Sequence, residues 1–265
     1  MTDCIWMLRA SKNVASVSDP VLAYPKAKGA DVYDRLQEAC LAGTASFNTS
    51  GGDPALAGFG RVLTPFTVAK QVRSIRLLEI YNYGPWGNPQ LGCHGFGGSG
   101  TSTPMILLSA VTASIWEPTA AMLADAWGMT PDSVDEAHRF SRPRRPLRYC
   151  VRAHREGHCL GHVRRDQREG RRGVAHRHRT HHQVAAWDFP DHGLGEVYRV
   201  VIDGEPIIMV DIWQRSGLGD TTHAGFVLAV TPVSNAISAI CEVPKGVLNY
   251  LDLRPRAVRG LLWPR

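Results

Sequence analysis

Short β-type runs alternate with helical stretches from the start of the chain. Val14 to Val17 follows Lys12-Asn13 and stops at Ser18-Asp19-Pro20, which predicts a short strand running into a loop. Asp31 to Leu41 carries apolar residues at Val32, Tyr33, Leu36 and Cys40, a helical spacing, and Gly43 stands where a helix C-cap is expected. Ala45 to Asn48 reads as another strand. Strand, helix and strand at these lengths predict the tail of a parallel α/β sheet.

Ser50-Gly51-Gly52-Asp53-Pro54 is a turn, with Asp53 placed to cap a helix over 54–69 and Pro54 at its first position. From Arg73 to Tyr83 the residues Ile75, Leu77, Glu79, Tyr81 and Tyr83 alternate with the rest, which predicts a strand. A loop rich in Gly and Pro covers 84–104, and helices are expected over 105–114 and 117–127. Residues 138–182 hold no helical or strand period. Beyond them, 196–202 and 207–213 are β-rich runs around Asp203-Gly204-Glu205-Pro206, a hairpin signal. The last helix spans His223 to Ile240, with Phe226, Val230, Val233, Ile237 and Ile240 on one face and a kink expected at Pro232.

The net charge of +6 over 265 residues changes this picture in one place. Residues 138–182 contain fourteen Arg, no Lys and the acids Glu156, Asp166 and Glu169, a local charge of +11 that leaves −5 for everything else. Eight of the eleven His lie there too. Elsewhere the chain is mildly acidic, so a nucleic-acid partner is not expected from it. Six cysteines at 4, 40, 93, 150, 159 and 241 form no dense framework, which points to a reducing, cytoplasmic setting. The N-terminus has no basic leader, and no uninterrupted apolar run reaches the roughly 18–20 residues of a membrane helix. Neither a G-x-S-x-G elbow, a P-loop, an H-E-x-x-H nor a C-x-x-C pair occurs, which removes the usual signals of hydrolase, kinase and metalloprotease chemistry.

Three readings compete for the Arg/His segment. Cys150, His154, His158, Cys159 and His162 have ligand-like spacing, with His176, His178, His181 and His182 following, but no apolar shell for a metal accompanies them. Fourteen arginines could neutralise phosphates, although Phe140 and Tyr149 offer little base stacking. The third reading is an out-of-frame stretch of a GC-rich gene: Arg, His, Pro, Gly and Ala without Lys, and with abrupt edges. That reading predicts no regular structure across 138–182.

Several stretches taken in order resemble a known group. They are Ser11-Lys12-Asn13-Val14 leading to Ser18-Asp19-Pro20, the helix ending Glu38-Ala39-Cys40, and the turn Thr49-Ser50-Gly51-Gly52-Asp53-Pro54. Leu78-Glu79-Ile80-Tyr81-Asn82-Tyr83, Gly95-Phe96-Gly97, His223-Ala224-Gly225 and Ser234-Asn235-Ala236-Ile237 follow. Together, over about 5–136 and 187–260, they resemble dihydrodipicolinate-reductase-like oxidoreductases, within them the amine-dehydrogenase branch that includes 2,4-diaminopentanoate dehydrogenase. The resemblance implies an α/β fold: a remnant of a Rossmann-type parallel sheet over 1–52, then an α/β substrate domain with a mixed sheet. That domain falls in two parts, 53–137 and 187–265, separated by the Arg/His segment at 138–186. It also implies NAD or NADP as cofactor, a small amine- or imine-bearing substrate acted on at a CH–NH2 or C=N group, and a possible homo-oligomer. Two departures stand out. The family's opening Gly-rich strand–turn–helix is missing, and Gly95-Phe96-Gly97-Gly98-Ser99-Gly100 lies in the wrong half of the pattern to replace it. The expected chain is therefore N-terminally truncated and weak in cofactor binding. The His-His and nearby Lys of true dihydrodipicolinate reductases are replaced by Tyr81-Asn82, which argues against dihydrodipicolinate as substrate.

On this resemblance Ser18, Asp19, Ser50 and Gly51, at strand ends, are the expected cofactor contacts. Glu79 and Tyr81 share a strand face and are the expected catalytic pair, one for an ammonium and one for proton transfer, with His223 as a third acid–base or carboxylate-binding group. Asp53 and Asn235 are candidate substrate contacts, although Asp53 needs no role beyond capping a helix. No metal ligand set is expected on this reading. The alternatives are a non-enzymatic protein binding nucleic acid or metal through the Arg/His segment, and a non-functional gene fragment.

Overall fold

The structure, a computed structural model, describes residues 1–52, 55, 60–82, 105, 108, 111–129, 134–141, 148–149, 152–153, 162–169, 175–183, 197–218 and 221–253; from 134 to 183 it describes the main chain. In chain order the elements are α1 (Thr2–Arg9), β1 (Val14–Ser16), two 3-10 turns (Pro20–Ala23 and Pro25–Lys28), α2 (Ala30–Gly43) and β2 (Ser46–Thr49). Next come α3 (Arg61–Phe66), β3 (Gln71–Asn82), α4 (Val111–Ala126), β4 (Val134–Ser141), β5 (Arg148–Tyr149) and β6 (Arg152–Ala153). The chain then forms β7 (His162–Glu169), β8 (Ala175–Gln183), β9 (Val197–Glu205), β10 (Ile208–Ile212), α5 (Thr221–Glu242) and β11 (Gly246–Leu248).

A parallel sheet in the order β1-β2-β11 forms one half of the α/β fold. Phe47 at its centre pairs with Val14 on one side and Val247 on the other. Leu8, Leu36, Ala39, Cys40 and Phe47 are buried against one another, so α1 and α2 cover this sheet. Neither α1 nor β11 is anticipated by the sequence pattern. α1 contributes one deeply buried side chain, Leu8, and leaves Trp6 exposed, so its apolar period is weak. β11 has three residues, too few to display alternation.

Gly43 does not cap its helix from outside, as the sequence suggests. It is the last helical residue, and Thr44 takes the left-handed conformation beyond it, at φ 51°. What Gly43 permits is the crossing of α1: a Cβ there would lie 1.8 Å from the Leu8 carbonyl oxygen.

The second sheet has six strands in the order β10-β9-β3-β8-β7-β4. Ile75 and Leu77 of β3 pack with Val200 and Ile202 of β9 and with Met122 and Leu123 of α4, which is a single helix where the sequence suggests two. The expected hairpin joins β9 to β10, but Asp203-Gly204 does not form its tip. Those residues continue β9 and pair with Ser74 and Val72 of β3, past a bulge. Two ion pairs fasten the ladder: Arg199 grips both carboxylate oxygens of Asp211 at 2.5 Å, and Arg73 reaches Asp203 at 2.7 Å.

Where the Arg/His segment is described, its main chain lies in strands, although the sequence there shows no strand period. β8 runs parallel to β3 from Ser74↔Ala175 to Asn82↔Gln183, and β7 and β4 add antiparallel strands outside it. Strand pairing here is a property of main-chain N–H and C=O groups, which β3 presents whatever side chains its neighbour carries. Cys150, His154, His158 and Cys159 lie outside the described residues, as does the glycine-rich run at 95–100.

Tyr24 and Lys28, in the turns after β1, bind Asp125 and Glu117 of α4, the latter at 2.7 Å, and so join the parallel sheet's loops to the helix on the larger sheet. Burial, then Asp125, pushes the Tyr24 phenol well above its ordinary range. The long helix α5 packs on β1 and β2. The face carrying Phe226, Val230 and Ile237 is turned outward, each being more than half exposed. An 18-residue window within 223–242 has a mean hydropathy of 1.7, and this is the one helix among the described residues long and apolar enough to cross a membrane. Polar residues such as Asn235 interrupt its apolar run, which is why the sequence shows no continuous span there.

Candidate functional site

A cavity of about 810 Å3 opens where α5 passes the C-terminal end of β2. Such a strand end is where ligands enter parallel α/β sheets. Three stretches of chain line it. Asn48 and Ser50 come from β2 and its following turn; Trp213 to Gly217 come from the segment linking β10 to α5, in whose first turn His223 stands; Tyr250 and Leu253 follow β11. Along α5 the wall is made by residues such as Ala224, Leu228, Thr231, Asn235 and Ala239, one side of the helix at its own period.

The turn after β2 takes a conformation that suits glycine: Gly51 has φ +124°, which side chains rarely adopt, and its backbone lies against α5, where an added Cβ would be in ordinary contact with the Ala229 carbonyl oxygen at 3.4 Å. The Ser50 N–H donates to the Ser16 carbonyl at 3.0 Å, which ties this turn to the end of β1.

Polar groups gather at two places in an otherwise apolar wall. On the β2 side, Asn48 is 1% exposed; its Nδ2 donates to the Leu248 carbonyl at 3.1 Å while its buried Oδ1 accepts no hydrogen bond from the described residues. Beside it, the Ser50 hydroxyl donates to the Tyr250 phenol oxygen at 3.1 Å. Burial raises the Tyr250 pKa, and the Ser50 bond offsets part of that, so the phenol stays protonated at neutral pH. On the α5 side, Ser216 Oγ lies 2.8 Å from His223 Nδ1 and accepts the Leu218 N–H at 3.0 Å, with Arg215 adjacent.

Of the residues named from the sequence, Ser50, His223 and Asn235 line this cavity together. Gly51 supports it from behind. Ser18 sits outside the lining, exposed, with its hydroxyl 2.8 Å from that of Ser16, and Asp19 precedes the first 3-10 turn. Glu79 is 3% exposed on the buried face of β3, opposite Tyr198 of β9, and does not line the cavity. Tyr81 is placed by its main chain only, at the end of the same strand, and Asp53 lies outside the described residues. Sequence reasoning missed Asn48, Arg215, Ser216 and Tyr250. Only Asn48, a polar residue ending an apolar strand, carried a visible signal. Among the described residues no group of three His, Cys, Asp or Glu is placed to hold a metal.

No protein-family model matches the chain. In sequence it is similar to "Amine dehydrogenase" of Streptomyces virginiae, 27% identical over 273 residues, which covers 96% of this chain and 74% of that protein. In structure it is similar to the protein described as "Structure of Amine Dehydrogenase from Mycobacterium smegmatis". The TM-score is 0.69 at 16% identity, over 96% of this chain and 73% of that one, a likeness of fold.

Proposed function

We propose that the chain is an oxidoreductase acting on the carbon that bears an amine, with NAD or NADP as hydride acceptor, and that it falls within the dihydrodipicolinate-reductase-like superfamily. The observation that carries this is the 27% identity to an amine dehydrogenase along nearly the whole chain. The cavity at the end of β2 supplies a place for the reaction.

The residues fit the ring end of a nicotinamide. Asn48 Oδ1 is a buried acceptor without a partner among the described residues, a state that costs roughly 1–3 kcal/mol and that a carboxamide N–H would relieve. A bound nicotinamide would supply the acceptor for a hydride leaving the amine-bearing carbon; with loss of a proton from nitrogen the amine would become an imine, which water would hydrolyse to release ammonia. The chain's own residues orient and enclose. Ser50 and Tyr250 hold a hydrogen-bonded pair that would lie beside the reacting carbon, and α5 walls one side of the cavity. His223, hydrogen-bonded to Ser216, would be the group that passes protons to solvent. The fit is poorer for the rest of the dinucleotide. Among the described residues no Gly-rich strand–turn–helix receives the pyrophosphate, so weak cofactor binding is part of the proposal.

The test is formation of reduced nicotinamide, followed by absorbance, on mixing the protein with NAD+ or NADP+ and a panel of primary amines. Reduction that depends on the amine, and that Ala236→Trp abolishes by filling the cavity, is the expected result. Protein that gives no reduction with any amine at saturating cofactor would refute the proposal.

A further inference from the structure

None of the described residues of the Arg/His segment lines the cavity. Its strands β8, β7 and β4 continue the six-stranded sheet outward from β3, and their register assigns each residue to one of two faces. Ile75 and Leu77 of β3 mark the face that α4 covers. Val134, Phe140 and Val163 fall on that side, so the larger apolar residues of the three strands share the covered face. Arg76 marks the opposite face and is exposed. The row through it reads Arg76, Arg177, Arg168 across β3, β8 and β7. Arg179 stands on the same face of β8, and farther along Arg164 lies directly opposite Arg139. Two acids, Asp166 and Asp135, are placed among these six arginines. Ile80 and Val197, paired on this face at the β9 side, are buried, so the surface is open at the row of Arg76. Toward β10 the charges balance instead: Arg199 binds Asp211 at 2.5 Å and Arg73 binds Asp203 at 2.7 Å. Like charges directly opposite on neighbouring strands, about 4.8 Å apart, are destabilising, and Arg177↔Arg168 and Arg164↔Arg139 are such pairs. An anion laid across them turns that repulsion into attraction.

We infer that the face of β8, β7 and β4 opposite α4 is a docking surface for the phosphate backbone of a nucleic-acid duplex. The occupant follows from what the face holds and lacks. Its charge selects an anion, and a second copy of the chain would bring the same positive face. A lipid surface or an apolar protein partner needs apolar residues to bury, and at the described positions of these strands the face holds none larger than Ala137 and Ala175. A single strand needs aromatic residues on which its bases stack, and none falls on this face of the three strands. A duplex keeps its bases stacked inside and presents a regular array of phosphates outside, so charge alone suffices. Such a contact positions the duplex without reading its sequence. It stands independently of the oxidoreductase reading and uses no residue of the cavity.

The experiment is fluorescence anisotropy of a labelled, mixed-sequence DNA duplex of about 20 base pairs titrated with the full chain, at salt from about 50 to 200 mM. Contact with three to five phosphates lowers the affinity roughly 40- to 500-fold over that range, since its logarithm falls by about 0.9 per phosphate for each tenfold rise in salt. The double variant Arg177→Gln, Arg179→Gln should weaken binding at low salt and reduce the salt slope by about two. Arg177→Lys with Arg179→Lys should keep both, because a phosphate needs the charge more than the fork, and this pair separates lost contact from lost folding. Arg165→Gln, on the α4 side by register, should leave duplex binding unchanged. No anisotropy change at low salt overturns the inference, as does an affinity indifferent to salt. So does a loss in Arg165→Gln equal to that of the double variant. A single strand bound more tightly than the duplex, or phosphatidylserine vesicles that bind the chain where the duplex does not, overturns the assigned occupant.

Discussion

Replacing Gly43 by alanine in a helix would ordinarily stabilise it by about 0.8–1.0 kcal/mol, because alanine loses less backbone entropy. Here the opposite sign is expected. The added methyl would stand 1.8 Å from the Leu8 carbonyl oxygen, 2.8 Å from its carbon and 3.1 Å from the Arg9 Cα. Carbon contacts settle near 3.5–4.0 Å, so either α1 lifts off α2 or the last turn of α2 unwinds. Overpacking of this kind costs about 1–3 kcal/mol, and a rigid main chain on the far side places the cost at the upper end. Net of propensity, a loss of about 1–2 kcal/mol is expected, roughly 2–8 °C in Tm for a chain of this size. Urea unfolding reads it as a lower midpoint at unchanged slope. The next residue provides the contrast. Thr44 holds a left-handed φ of 51°, which is unfavourable for a side chain branched at Cβ, so Thr44→Gly is expected to leave the midpoint unchanged or raise it, by up to about 1 kcal/mol. A midpoint for Gly43→Ala equal to or above the original would show that the α1–α2 crossing is looser than drawn and would refute the reasoning.

Other consequences are equally direct. Arg199, by hydrogen bonding and charge, holds the Asp211 carboxyl below its usual range; a depressed pKa contributes stability above the unfolded value near 3.9 and loses it as pH falls through the folded one. Urea midpoints taken below about pH 4 should therefore fall, and less steeply in Asp211→Asn. Burial pushes the Cys40 thiol up to about 11, so iodoacetamide at neutral pH should label exposed Cys241 and spare Cys40, as mapped by peptide mass spectrometry; labelling of Cys40 at the same rate would contradict its burial. Phe47→Ala removes the centre of the parallel sheet's core and should cost about 3–5 kcal/mol, read from the same urea transitions.

How much of this was legible depends on how far each element announces itself through its own side chains. α2 and β3 did, through buried sets at period 3.6 and two; β1 and β2 are too short for a period and showed only as apolar runs bounded by turn residues, and α5 showed through an apolar stripe at helical spacing. The hairpin was visible as Asp203-Gly204, yet its tip was misplaced. β3 borrows those two residues to extend its own ladder, and only a glycine lets Gln71 approach a Cβ position to 2.0 Å. The outward face of α5 illustrates a different limit. Phe226, Val230 and Ile237 keep helical spacing, and spacing alone cannot say whether the stripe faces a core, a cavity or solvent. The cavity in fact selects the neighbouring stripe, in which Ala224, Thr231 and Asn235 look unremarkable one at a time.

The site is harder to read than the fold for a topological reason. Its polar ends come from 48–50, 213–217, 223 and 250, and nothing local links these numbers. They meet because β11 returns from the far end of the chain to pair with β2, which sets Tyr250 beside Ser50 across two hundred positions. That return depends on three strand residues, on Gln37, whose side-chain oxygen accepts the Val247 N–H at 2.9 Å, and on Asn48, whose amide holds Leu248. Gln37 stands outside the cavity lining, yet it fixes the strand that carries the site's phenol. Gln37→Ala leaves the Val247 N–H without that acceptor, a loss of order 1 kcal/mol in stability. Ser50 and Tyr250 should consequently separate before the sheet melts. Tyr250 provides the readout, since its phenol titrates above the ordinary range only while it is buried. A spectrophotometric titration in which Gln37→Ala brings one tyrosine back toward pH 10, with the urea midpoint little changed, would show β11 acting as the hinge of the site. An unchanged titration would show that Asn48 and the core around Leu248 hold it without help.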